Sequence, residues 1–175
     1  ELFKEKAMYE IKMSHQQRLN QKQIEEEIKV ASHQKKMTAM LENTSRKTKM
    51  EAILEVFEVI YQKMGALKDN ELLVMIEKLI SEAIISGNEL LVVSNENLDK
   101  YLTALSSNRD MKNLDKLHSR NSKYAFSLTA RNIQIEQGFM LISEDYDLIF
   151  DFKEIVRNHR LRLEGRVYKE LFGDE

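Results

Sequence analysis

Apolar positions in the first third of the chain recur every eleven residues. Leu2, Met13 and Ile24 form one track, Met8, Leu19, Val30, Leu41 and Ala52 a second, and Ile28, Ala39, Met50 and Tyr61 a third. Eleven residues over three turns is about 3.67 per turn, slightly looser than an α-helix, and such a repeat drives a right-handed supercoil. A seven-residue repeat would drive the left-handed kind. No glycine or proline occurs from Glu1 to Met64, so the stretch predicts one helix, which at 1.5 Å per residue would reach about 95 Å. Its stripe is too narrow for a globular core and marks a surface that another helix covers. Leu2, Met8, Met13, Leu19, Ile24, Ile28, Val30 and Leu41 are the candidate partner-binding residues. The tracks break at Lys35, Arg46 and Lys63.

From Met50 to Met64 the apolar face widens to include Ile53, Leu54, Val56, Phe57, Val59, Ile60 and Tyr61. A face that broad needs a core on more than one side, so the helix should enter a domain here. Gly65 supplies a break, and Asn70 is a candidate cap for a helix over 71–86 that Gly87 would end. The run Leu90-Leu91-Val92-Val93 predicts a strand buried on both faces. A helix through Leu98, Tyr101, Leu102 and Leu105 follows, then a weaker one from Asp110 to about His118. Tyr124, Phe126 and Leu128 alternate with Ala125, Ser127 and Thr129, which is strand periodicity. Gly138 opens a hairpin of two strands, 139–142 and 147–150, turning at 144–146. Asp151 and Glu154 have capping-box spacing ahead of a last helix that puts Phe152, Val156, His159, Leu163, Val167 and Leu171 on one face. The expected fold class is α+β: a long coiled-coil-forming helix over 1–64, then a small mixed α/β domain of about four strands over 65–175.

Composition narrows the picture. The 175 residues include no proline and only five glycines, which favours helices over tight turns, and no cysteine, which excludes disulfides and thiolate metal sites. Net charge is −2, unevenly spread: residues 1–50 carry 11 basic and 7 acidic side chains, against 16 and 22 in the remainder. The basic residues of the arm alternate with Glu25, Glu26, Glu27 and glutamines, with few aromatics for stacking on bases, so a solvated helix face explains them better than nucleic-acid binding. No apolar run reaches the 18 to 20 residues of a membrane span. The chain opens on Glu1 without a signal-peptide pattern, so the expected location is cytoplasmic, with the native start upstream.

Catalytic motifs are missing. There is no phosphate loop, no nucleophile elbow and no zinc-binding HExxH helix. Ser32-His33-Gln34-Lys35 matches a serine-acylase pattern only by chance, because a bare helix builds no pocket around it. His15, His33, His118 and His159 are too scattered for a shared metal. Glu144, Asp145, Asp147 and Asp151 crowd the hairpin, where a solvated turn and a helix cap account for them better than a metal or acid-base site. Arg157, Arg160, Arg162 and Arg166 form a basic face on the last helix, suited to an acidic partner or lipid headgroups but better explained by solvation. No cofactor, metal or catalytic residue is expected.

The segment from Gly138 to Phe152, and the helix ending Leu163-Glu164-Gly165-Arg166-Val167-Tyr168-Lys169-Glu170-Leu171-Phe172-Gly173, resemble the C-terminal domain of the E subunit of V-type and A-type ATP synthases. There a glycine-led hairpin precedes a last helix with a similar ending, and a long N-terminal helix leads into an α/β head. This chain has Gln137-Gly138 where the family often has two glycines, and Asp151-Phe152 where its last helix usually opens on Asn followed by Ser or Thr. The resemblance implies a non-catalytic component of the peripheral stalk, a stator in ATP synthesis and proton or other ion transport. It would pair through its long helix with a second helical subunit of G or H type. It would hold the B subunit of the catalytic ring through its head, and its far end would reach toward the membrane sector from the cytoplasmic face. Alternatives of the same physical style are a stator-like regulator of a flagellar or type III export ATPase, and a homodimeric coiled-coil scaffold.

Overall fold

A computed structural model of the chain describes residues 2–173, with side chains throughout except at positions 2, 3, 5 and 7. In order, the elements are α1 (Leu2–Ala66), α2 (Asp69–Ser81), β1 (Leu90–Ser94), a 3-10 turn (Asn95–Asn97), α3 (Leu98–Leu105), α4 (Asp115–Arg120), β2 (Ser127–Arg131), β3 (Gly138–Ile142), β4 (Asp147–Asp151) and α5 (Phe152–Phe172). This is the α+β class that the patterning predicts: a long first helix followed by a small domain on a four-stranded mixed sheet. The chain groups into two units, Glu1–Glu51 and Ala52–Glu175.

The sheet runs β2-β1-β3-β4. β1 pairs parallel with β2 and antiparallel with β3, and the β3–β4 hairpin closes the other edge. Its central place explains why β1 is apolar without alternation: Leu91, Val92 and Val93 are all fully buried. Each such burial is worth about 1.5–3 kcal/mol relative to exposure. Around β1 the core takes Leu72, Ile76 and Ile80 from α2, Tyr101 and Leu105 from α3, Phe139 and Leu141 from β3, and Phe152 from α5. Ile53, Phe57 and Tyr61 of α1 complete it. Asp151 is the N-cap of α5, its carboxylate accepting from the Lys153 N–H at 2.9 Å. Glu154 pairs with Arg157 at 2.8 Å.

Local patterning misplaces several boundaries. α2 starts at Asp69 with Lys68 as N-cap, and the Asn70 side chain accepts from Arg120 at 3.1 Å. α2 also stops at Ser81, five residues short, leaving Ile84 95% exposed. The expected helix over 110–118 becomes a turn at Asp110, whose carbonyl accepts from Asn113, and then α4, with Leu114 and Leu117 buried. Strand pairing begins at Ser127 rather than Tyr124, because the β1 register opens at Leu90 opposite Ser127. The alternation at Tyr124, Phe126 and Leu128 nevertheless holds, and all three are buried. His159 is exposed and so is Leu171; Leu163 and Val167 pack against the core as expected, joined by Ile155, Tyr168 and Phe172.

One buried carboxylate organises the turn that follows α2. Glu89, 1% exposed, accepts from the Ser86 N–H and from the Gly87 N–H at 2.9 Å, from the Ser86 hydroxyl at 2.8 Å, and from the Tyr146 hydroxyl. These bonds turn the chain out of helical geometry and join it to the hairpin. Burial pushes the Glu89 pKa up, but the bonds from Tyr146 and Ser86 outweigh it and hold the carboxyl below its ordinary value. A carboxylate with a lowered folded pKa stabilises the fold above its unfolded pKa of about 4.3, and that stability is lost as pH falls through the folded value. Thermal melts across pH 2–7 are expected to show this acid limb. Glu89→Gln should flatten it and lower stability by roughly 2 kcal/mol at neutral pH; an unchanged acid limb would show that Glu89 is not its source.

Candidate partner-binding seam

Residues 8–50 of α1 have no capped break and no buried side chain. Met8, Met13, Leu19, Ile24, Ile28, Val30 and Leu41 are all exposed, as are Tyr9, Ile11, Met37, Met40 and Met50. The side chain of Leu2 lies outside the described residues. Met37 joins Val30 and Leu41 at steps of seven and four, a local spacing that a search confined to elevens passes over.

Helical geometry sorts these residues into two faces. At about 100° per residue, Met8, Leu19, Val30, Met37 and Leu41 fall within about 60° of arc, and Met13, Ile24 and Ile28 within another arc of about 60°. The centres of the two arcs are about 140° apart. A single apolar stripe is about 100° wide, so the two tracks form two separate faces of α1. Small residues lie beside the Met13 track: Ala31, Ser32 and Ala39 line a shallow groove together with Ile28, Lys35 and Lys36.

Ion pairs along this helix are local and exposed. Lys29 meets Glu26 at 2.9 Å and Lys47 meets Glu51 at 3.8 Å, each worth about 0.3–0.5 kcal/mol. Thr38 and Thr44 return their hydroxyls to the carbonyls of Gln34 and Met40, so they leave little polar demand at the surface.

Among the described residues no group of His, Asp and Glu is placed to hold a metal ion, which covers the hairpin acids. Arg160 pairs with Glu164 at 3.1 Å, so two of the four arginines of α5 are engaged within their own helix. Among the described residues no helix is long and apolar enough to cross a membrane.

No family model and no solved structure matches the chain. Curated proteins do. The E subunit of a V-type proton ATPase from Clostridium botulinum strain Loch Maree is 26% identical over 135 residues, covering 75% of this chain and 64% of the relative. The E subunit of a V-type ATP synthase from the Hall strain is 25% identical over 133 residues, covering 76% and 65%. The chain thus spans a little under two thirds of the length of these relatives. Over three quarters of its own length it is a distant homologue of proteins named as the E subunit of V-type ATPases and ATP synthases.

Proposed function

We propose that the chain is a non-catalytic peripheral-stalk subunit of a rotary V-type ATPase. In this reading residues 1–64 form one strand of a two-chain rod and residues 65–175 the head that grips the B subunit of the catalytic ring. The observation that carries it is the row of large apolar side chains along residues 8–50, exposed on a helix with no core of its own to bury them. Such a strip in water is unfavourable by roughly 25 cal/mol per Å² and is stabilised by pairing. The names of the distant relatives agree with this reading.

A stator has to resist torque, and two paired helices joined along an apolar seam resist bending better than one. The stalk partner, a helical subunit of G or H type, lies along the Met13–Ile24–Ile28 track, where Ala31 and Ala39 let it come close. The rod stands on the cytoplasmic face, its far end directed at the membrane sector, and needs no cofactor.

The test is copurification. A tagged chain expressed in its native cell should bring down, from the membrane fraction, a second helical subunit together with the A and B subunits of the rotary ATPase in fixed proportion. Recovery of the tagged chain as a free homodimer, or with a flagellar export ATPase, would replace this reading with one of the alternatives.

A further inference from the structure

The Met8–Leu41 track has a charged edge that the Met13 track lacks. Between residues 4 and 47, eight positions of α1 fall in the arc of about 40° bordering the Met8 track on one side. They are Lys4, Ile11, Arg18, Lys22, Lys29, Lys36, Met40 and Lys47: six cations, two apolar residues and no carboxylate. All eight are exposed. Among the described residues Arg18, Lys22 and Lys36 make no ion pair, while Lys29 and Lys47 meet only the solvated Glu26 and Glu51. The opposite edge holds Gln16, Asn20, Glu27, Gln34 and Ser45, with Gln16 hydrogen-bonded to Asn20 at 3.2 Å.

We infer that the Met8–Leu19–Val30–Leu41 track docks a second helix, separate from the stalk partner, whose apolar stripe is edged with carboxylates. Charge complementarity selects this occupant. A second copy of the chain would not serve: packed parallel, it would set its near-neutral edge, with Glu27 as the acid, against six cations. Packed antiparallel, it would set cation against cation. An anionic bilayer is a poorer match too. A helix lying on lipid would leave the Met13 track in water. The inference rests on the seam reading of α1 but not on the stator role.

The probe is a synthetic amphipathic helix of about three eleven-residue repeats, leucine along its stripe and glutamate along both edges, with a lysine-edged twin. The full chain, at low ionic strength, should bind the glutamate-edged peptide about 10- to 30-fold tighter than its twin. The combination Lys22→Glu, Lys29→Glu and Lys36→Glu should invert the preference, with only a small loss of helicity in the free chain from the broken Lys29–Glu26 pair. Leu19→Asp with Val30→Asp should remove peptide binding, whereas Met13→Asp with Ile24→Asp should leave it. Loss of the stalk partner with this discrimination intact would count against the stator reading and support the inference. Equal affinity for the two peptides would overturn it, as would binding lost through Met13 and Ile24 instead. Displacement of the peptide by phosphatidylserine vesicles would assign the face to a membrane surface and overturn it as well.

Discussion

Met13→Asp combined with Ile24→Asp is expected to reduce capture of the stalk partner by more than about 100-fold. Both residues are about half exposed in the free chain, at 46% and 56%, so replacing them removes little from its own stability. In the paired rod each would lose about 1.5–3 kcal/mol of apolar burial, and each aspartate would have to be desolvated against a greasy neighbour. Two such losses exceed the 2.7 kcal/mol or so that a hundredfold change requires. The control is Asn43→Asp, which adds a negative charge on α1 at least about 60° outside each track and should leave capture within a few-fold. The thermal midpoint of residues 52–175, followed by the signal of their buried tyrosines, should be the same in all three chains. Full-strength capture by the Met13/Ile24 variant would remove that track from the stalk interface.

The parts of this molecule that local sequence reveals are those decided locally. The absence of breakers before Gly65 sets the reach of α1. The short, partly β-branched run Leu90–Val93 favours a strand covered on both faces, and Asp151 announces the start of α5 by its cap. The end of α2 is decided elsewhere. Ala83 and Ile84 continue the apolar spacing, and nothing within the segment stops the helix. Beyond it the chain is tied down from far away, by Glu89 bonded to Ser86, Gly87 and, 57 residues on, Tyr146. The start of β2 is likewise a property of its register with Leu90 rather than of the residues from Tyr124 onward.

The candidate seam was partly legible for a similar reason. Elevenfold spacing picks out its members, because residues eleven apart return to almost the same side of a helix. It says nothing of the angle between one track and the next. That angle, together with the gathering of six cations beside only one track, emerges when all the residues are placed around a common axis.

Two glycine-to-alanine changes in the second unit should have opposite signs. Gly138→Ala is expected to lower stability by about 3–5 kcal/mol, a fall in thermal midpoint of roughly 10–15 °C. Gly138 has φ +137°, a conformation nearly closed to side chains, and an added Cβ would lie 2.1 Å from the Phe150 carbonyl oxygen and 3.1 Å from Ile135 Cγ2. The carbonyl belongs to the paired strand, since Gly138 stands opposite Asp151, so it cannot step aside without opening the β3–β4 ladder. That ladder carries Phe139 and Leu141 into the core, and the Tyr101 hydroxyl donates to the Gly138 carbonyl at 3.1 Å. Gly165→Ala should instead stabilise by roughly 0.5–1 kcal/mol, because Gly165 lies inside α5 at an ordinary helical φ and its Cβ would have no atom within 4 Å. Denaturant titration of both variants against the parent chain decides the point. Equal and small effects would mean that the hairpin tolerates a shifted register at Gly138, and that the approach of β4 to this glycine does not hold the sheet edge in place.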